Sequence, residues 1–185
     1  PGTGDLIFTD PPYPKESLPL YDVLAEHAAR LLKPRGVLVT YAGLIFLPTV
    51  LKSLTVDELQ YGWTFCLNMD EGSQSRIMGR HIIQGWKPLI VYTKGTWTAG
   101  EWINDPVRSG GRTKDLYHWQ QSEAEAGFMI ERFTRPGDTV LDPFMGSGTT
   151  GKVARELGRQ ALGVEADAER HALASDRIAA VAPVS

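Results

Sequence analysis

Short apolar runs alternate along the chain with segments whose apolar residues recur every three or four positions. The runs predict β-strands at residues 5–9, 37–41, 63–68, 89–93, 139–142 and 161–165. The helical spacing predicts α-helices at residues 20–32, 44–54, 123–133, 149–157 and 168–182. The third helix follows a capping box, with Ser122 as the cap and Glu125 three positions later. Because strands alternate with helices, we predict a doubly wound, mostly parallel α/β sheet.

The length of 185 residues suits one well-buried domain, since division would leave two marginal cores. We therefore predict a single domain over residues 1–185. The segment between the strands at 63–68 and 89–93 is predicted as a long loop, and residues 95–118 as a short inserted surface region. No apolar run is long enough for a transmembrane helix and the first residues form no signal pattern, so a soluble, cytoplasmic protein is expected. The first strand begins close to residue 1, which is not Met, so we expect a trimmed chain.

Charge is distributed unevenly, although the formal total is only −3. Residues 71–118 hold seven Lys or Arg against four Asp or Glu, so this segment carries +3 and the rest of the chain −6. This asymmetry predicts a locally basic face of the kind that binds nucleic acid. A solvated loop with scattered charges is the alternative.

A glycine-rich turn, residues 146–151, follows a predicted strand and opens a predicted helix. With Glu165 at the next strand end, it fits a dinucleotide fingerprint, and it nearly fits a phosphate-binding P-loop. Val153 stands where a P-loop needs a hydroxyl for magnesium, and Asp142 places an anion where a pyrophosphate would lie. S-adenosylmethionine avoids both conflicts, because it offers cationic groups to the acidic end of the turn and a ribose to Glu165.

A second strand end carries Asp10-Pro11-Pro12-Tyr13. A carboxylate and an outward-facing backbone carbonyl that accept the hydrogens of an exocyclic base amine would make its nitrogen more nucleophilic. Pro11 cannot donate a hydrogen bond and the paired prolines stiffen the turn, while Tyr13 can stack on a base taken out of the duplex. A proline-stiffened connection with a packed tyrosine is the structural alternative. Both turns are expected at one edge of the sheet.

The two motifs together resemble those of DNA amino-methyltransferases, with Asp-Pro-Pro-Tyr as catalytic motif and Asp-Pro-Phe-Met-Gly-Ser-Gly-Thr-Thr as cofactor motif. Because the catalytic motif comes first, the chain resembles the permuted β group of adenine-N6 and cytosine-N4 enzymes. The resemblance implies a Rossmann-like S-adenosylmethionine-dependent fold that lacks an N-terminal piece here. It places the target-recognition region at 95–118. It also implies double-stranded DNA as substrate, no metal, and a homodimer or a cognate restriction enzyme as partners.

The sequence predicts residues for three roles, namely catalysis, cofactor binding and DNA binding. The implied catalytic residues are Asp10, Pro11, Pro12 and Tyr13. The implied cofactor contacts are Asp10, His118, Asp142, Phe144, Gly146, Ser147, Gly148, Thr149, Thr150 and Glu165. The expected DNA contacts are Arg76, Arg80, Lys94, Arg108, Arg112 and Lys114. Asp at the first motif position favours adenine, since cytosine-N4 enzymes more often have Ser there. Cytosine-N4 methylation, RNA methylation and a noncatalytic cofactor- or DNA-binding module are the alternatives.

Overall fold

The computed structural model describes residues 2–69, 74–97, 101–108 and 122–182. The strands in these ranges are β1 (Gly4–Thr9), β2 (Leu32–Tyr41), β3 (Gln60–Asn68), β4 (Ser75–Ile77), β5 (Ile82–Gln84), β6 (Trp86–Thr93), β7 (Pro106–Arg108), β8 (Thr139–Asp142) and β9 (Gln160–Gly163). The α-helices are α1 (Pro19–Leu31), α2 (Leu47–Ser53), α3 (Glu123–Phe133), α4 (Thr149–Glu156) and α5 (Ala168–Ala179). None of the helices in these ranges is long and apolar enough to cross a bilayer.

Seven strands form one sheet in the order β7-β3-β6-β2-β1-β8-β9. Strand β6 is antiparallel to its neighbours β2 and β3, and the other adjacent pairs are parallel. The carboxyl ends of β1, β2, β3, β8 and β9 and the beginning of β6 therefore lie along one edge, which we call the carboxyl edge. The prediction of a mostly parallel α/β sheet is confirmed.

Helices cover both faces of this sheet. Leu6 and Phe8 of β1 pack in one core cluster with Met129 and Ile130 of α3. The intervening Ile7 belongs to a second cluster that contains residues of α1 and α2. Successive side chains of a strand point to opposite faces, so the central residues of β1, Leu6 to Phe8, must all be apolar between the two layers. This explains why the strand reads as a continuous apolar run.

The two predicted loops contain short strands. In the first, a hairpin joins β4 to β5 through a 3₁₀ turn at Met78–Arg80 that ends at His81, whose φ is +52°. In the second, β7 pairs with β3 and forms the edge strand of the main sheet. Strands of three residues are too short to produce a periodic pattern, so the prediction of a long loop was wrong at β4 and β5, and β7 was not predicted within residues 95–118. Residues 109–121 lie outside the described part of the chain.

The predicted capping box is also wrong. Ser122 is the N-cap residue of α3 but its side chain makes no capping hydrogen bond. Glu125 is only 5% exposed and its Oε2 accepts a hydrogen bond from the Tyr41 hydroxyl at 3.0 Å. Burial and then the Glu125 carboxylate raise the pKa of Tyr41 well above its usual value. The carboxylate therefore connects α3 to the end of β2.

Candidate active site

The two predicted turns meet at the carboxyl edge. Strands β1 and β8 are parallel neighbours, with Leu6 opposite Val140. At their ends the Thr9 hydroxyl donates a buried 2.6 Å hydrogen bond to Oδ1 of Asp142. The Asp-Pro-Pro-Tyr turn begins one residue after Thr9, and the glycine-rich turn follows Asp142. The prediction that both turns lie at one sheet edge is confirmed.

Tyr13 orients the Asp10 carboxylate. Its hydroxyl donates a 2.5 Å hydrogen bond to Oδ1 of Asp10. Burial, and then the neighbouring Asp10 charge, raise the pKa of Tyr13 well above its usual value, so the phenol stays protonated as the donor. Pro11 is buried and Pro12 is exposed in the same turn. The turn therefore holds a half-buried carboxylate in a fixed orientation at the end of β1.

The Tyr13 ring contacts the neighbouring strands. The Nζ atom of Lys87 lies 5.4 Å from the ring centroid, within range of a cation–π interaction. A Cβ atom added to Gly43 would lie 3.8 Å from the Tyr13 Cβ, so the loop after β2 passes close to the ring. Lys87 was not among the predicted site residues. It is a single basic residue in a buried strand, and the sequence contains no pattern that would connect it to Tyr13.

Asp142 organises the glycine-rich turn. It is 6% exposed, and its Oδ1 accepts from the Phe144 amide at 3.1 Å as well as from Thr9. Burial raises the pKa of Asp142, while hydrogen bonds from Thr9, Thr150 and the Phe144 amide oppose that change. The Asp142 carboxylate thus links Thr9 at the end of β1 to Phe144 in the glycine-rich turn and to Thr150 at the start of α4. Its contact with a cofactor stays a prediction.

The glycines of the turn are required by its backbone. Gly146 and Gly148 have φ of +51° and +77°, in the left-handed region that L-residues disfavour. A Cβ at Gly148 would lie 3.0 Å from the Cβ of Ala174 on α5. The turn therefore packs directly against a neighbouring helix.

Glu165, two residues after β9, supports the same turn. Its Oε2 accepts from the Gly146 amide at 2.9 Å and its Oε1 from the Asp167 amide at 3.1 Å. A carboxylate oxygen has more than one acceptor direction, so these bonds leave capacity for a ribose hydroxyl. The residue predicted to bind the ribose is therefore placed directly beside the glycine-rich turn.

Arg177 of α5 contacts the turn and was not predicted. One guanidinium nitrogen donates to the Ser147 carbonyl at 3.0 Å and to the Thr149 hydroxyl at 3.1 Å. The other donates to Glu123 at 2.5 Å, and Glu123 also binds Lys152 at 2.8 Å. The hydrogen bond from Lys152 is the main cause that lowers the pKa of Glu123. Three helices meet in this network, and such long-range pairs leave no signal in the sequence.

The predicted DNA contacts fall in different places. Arg76 and Arg80 are exposed on the β4–β5 hairpin beyond the carboxyl edge. Arg108 ends β7 opposite Asn68, so its backbone also lies at that edge. Lys94 follows β6 at the opposite edge, where its ammonium donates to the carbonyls of Ala29 and, at 3.0 Å, Leu32. Lys94 caps the end of α1, and we remove it from the predicted set. Arg112, Lys114 and His118 lie outside the described residues.

The architecture and these turns define an S-adenosylmethionine-dependent methyltransferase fold. The chain is similar to the crystal structure of the M1.HpyAVI–SAM complex, with a TM-score of 0.78 and 25% identity over 96% of this chain and 89% of that one. It is also similar in fold to PvuII DNA methyltransferase, described as cytosine-N4-specific, with a TM-score of 0.77, 20% identity and coverage of 96% and 80%.

Sequence relatives define the family more closely. The type II methyltransferase M2.DpnII of Streptococcus pneumoniae is 39% identical over 80 residues, which cover 40% of this chain but only 30% of that protein's length. The family model of the N6/N4 DNA methylases matches residues 67–176. The chain belongs to this DNA methylase family, as the two motifs predicted.

Proposed function

We propose that this chain transfers a methyl group from S-adenosylmethionine to the exocyclic N6 amine of an adenine flipped out of double-stranded DNA. The observation that carries the proposal is the Thr9–Asp142 hydrogen bond of 2.6 Å, which joins the acidic Pro-Pro-Tyr turn to the glycine-rich turn. An acceptor amine at the first turn and a methyl donor at the second would then lie side by side. M1.HpyAVI, the similar structure described above, is a complex with this cofactor.

The residues around the glycine-rich turn fit such a cofactor. Carboxylates of Asp142 and Glu165 flank the turn, and the Asp142 carboxylate would repel the pyrophosphate of a dinucleotide. The guanidinium of Arg177 lies near the turn, but there it donates to the Ser147 carbonyl of the protein and not to a phosphate of a ligand. When bound, S-adenosylmethionine supplies an electrophilic methyl group on a sulfonium. The acidic surroundings stabilise that positive charge, and the left-handed glycines allow close approach to the backbone.

In this proposal the first turn prepares the acceptor. The Asp10 carboxylate and the Pro11 carbonyl accept the two hydrogens of the amine, which localises its lone pair on nitrogen. The nitrogen attacks the methyl carbon, the carbon–sulfur bond breaks with its electron pair left on sulfur, and the amine proton leaves through Asp10. No covalent enzyme intermediate is needed. Cys66 of β3 agrees with this, since burial raises the pKa of its thiol and disfavours the thiolate nucleophile.

The product distinguishes the target base. Plasmid DNA incubated with the protein and methyl-labelled S-adenosylmethionine is hydrolysed, and the nucleosides are separated. We expect the label in N6-methyl-2′-deoxyadenosine. Label only in N4-methyl-2′-deoxycytidine would overturn the choice of adenine, and DNA without label would overturn the methyltransferase proposal as a whole. This experiment does not test the predicted homodimer or the predicted restriction partner, and both stay predictions.

Removing the Tyr13 hydroxyl separates the two roles proposed for this residue, which are to orient Asp10 and to stack on the flipped base. Tyr13→Phe deletes the 2.5 Å hydrogen bond to Asp10 but keeps the ring against Lys87. We expect the single-turnover rate to fall about tenfold, in line with general magnitudes for a lost catalytic hydrogen bond, while DNA affinity changes little. Tyr13→Ala should in addition weaken DNA binding. Equal rates for wild type and Tyr13→Phe would show that the hydroxyl does not orient Asp10 for catalysis.

Arg177 should act on the cofactor turn without touching the reacting atoms. In Arg177→Met the Ser147 carbonyl and the Thr149 hydroxyl lose their donor. We expect the KM for S-adenosylmethionine to rise about tenfold, since hydrogen bonds to a charged group contribute roughly 1.5–3 kcal/mol, and kcat to change little. The control is Arg170→Met on the exposed side of the same helix. A fall in kcat with unchanged KM would contradict the positioning role.

A further inference from the structure

The β4–β5 hairpin exposes an unusual number of large apolar side chains. Met78 is 76% exposed, Ile82 54% and Ile83 61%. In the antiparallel ladder Ile77 faces Ile82, and Arg76 faces Ile83, and opposite residues lie on the same side of a hairpin. Apolar groups therefore occur on both sides and at the tip. Exposed apolar side chains do not stabilise a hairpin of three-residue strands. These side chains are therefore available to contact a binding partner.

The hairpin projects from the carboxyl edge close to the catalytic turn. It continues beyond the β3–β6 ladder, whose last pairs are Leu67 with Lys87 and Asn68 with Trp86. The Met69 amide donates to the Gly85 carbonyl at 2.8 Å and closes the base of the hairpin. Lys87, at this base, is the residue whose ammonium lies over the Tyr13 ring. At about 3.3 Å per residue, the tip stands up to about 20 Å beyond the edge.

The charge of this segment fits a polyanion. Residues 74–97 contain four Lys or Arg and no Asp or Glu, although Asp70 and Glu71 precede this stretch in the sequence. Three of the four, Arg76, Arg80 and Lys87, lie on the hairpin or at its base. Exposed apolar side chains beside these arginines would be poorly matched to a neutral protein surface. They match a duplex, in which phosphates surround a stack of apolar base faces.

We propose that the tip of this hairpin, Met78 and Ile82, is a wedge that enters the base stack of double-stranded DNA next to the target base, while Arg76 and Arg80 bind the flanking phosphates. This inference rests on the proposed function. Ile and Met are among the side chains that proteins insert between base steps to unstack them. A wedge on a hairpin whose base lies beside Tyr13 would hold open the gap left by the flipped base. The hairpin thereby acts on the step before chemistry, and no bond to the target amine involves it.

The test compares a normal duplex with one whose target base is already unpaired. The methylated site is first mapped on plasmid DNA with the wild-type protein and then built into two short duplexes, one fully paired and one with an abasic position opposite the target. For Met78→Ser/Ile82→Ser we expect the single-turnover rate to fall about tenfold or more on the paired duplex and to stay within about twofold of wild type on the other. Val23→Ser, an exposed apolar residue of α1, is the matched control and should behave as wild type on both.

Two outcomes would overturn the wedge. Equal rates for the double variant and the wild type on the paired duplex would show that the tip does not assist flipping. The same loss on both duplexes would show that the hairpin serves only to bind or position DNA. A wild-type protein that transfers no methyl group to plasmid DNA would instead refute the proposed function, and this is visible before any variant is made.

Discussion

Replacing Asp10 by alanine is expected to lower the methyl-transfer rate about a thousandfold, the upper range for loss of one preorganised group that stabilises a transition state. In the proposed mechanism Asp10 accepts a hydrogen of the amine, and this hydrogen bond strengthens as the nitrogen attacks, so the loss falls on the chemical step. Tyr13 already donates to this carboxylate at 2.5 Å, which holds it in one orientation before any substrate arrives. The rate is measured in single turnover at saturating S-adenosylmethionine and DNA.

The same variant should keep its cofactor affinity within about threefold, because the glycine-rich turn is organised by Asp142 and Glu165. Isothermal titration measures this directly. Asp10→Asn is the matched variant, since its side-chain oxygen can still accept a hydrogen bond, and it should retain more activity than Asp10→Ala. Unchanged turnover in Asp10→Ala would remove this carboxylate from the mechanism. Equal loss of cofactor binding would assign it to the cofactor site instead.

Alanine at position 148 is expected to weaken S-adenosylmethionine binding about 30-fold. The φ of +77° at Gly148 costs an L-residue about 1–2 kcal/mol, and the new Cβ would lie 3.0 Å from the Cβ and 3.2 Å from the Cα of Ala174. To relieve the close contact with Ala174, either the turn or α5 must move. Both moves disturb the Arg177 contacts with the turn, and therefore the backbone that we assign to the cofactor.

The control for Gly148→Ala is Gly127→Ala. Gly127 lies inside α3, and a Cβ there would be 3.8 Å from the Val153 Cγ1, which is ordinary contact. That substitution should raise the free energy of unfolding by about 0.5–1 kcal/mol, since Gly is unfavourable within a helix. Cofactor affinity is measured by titration calorimetry for both variants. Wild-type affinity in Gly148→Ala would show that this turn does not bind the cofactor.

The parts of the fold that local patterns encode could be predicted from the sequence. Strands β1, β2, β6 and β8 are buried between two layers, so each appears as an apolar run. Asp10 and Asp142 follow such runs directly, and parallel strands carry both residues to the same edge. Local pattern and sheet geometry were therefore sufficient to bring the two turns together.

The remaining features depend on partners far away in sequence. Glu125 fits a capping box locally, but its carboxylate bonds Tyr41, 84 positions away. Lys94 reads as one of several basic residues in a loop, but its position after β6 places it against the end of α1. Arg177 lies in an alanine-rich helix whose pattern indicates only packing. Contacts of this kind follow from tertiary packing, which overrides local propensity.

The juxtaposition of the two turns is tested most directly by a crystal structure of the protein with S-adenosylmethionine. An amine hydrogen-bonded to Asp10 lies about 2.9 Å from it, and reacting atoms must approach to about 3–3.5 Å. We therefore expect the methyl carbon within about 6 Å of the Asp10 carboxylate, with the cofactor against the backbone of residues 146–148. A cofactor bound elsewhere, or one whose methyl group points away from Asp10, would contradict a single site formed by both turns.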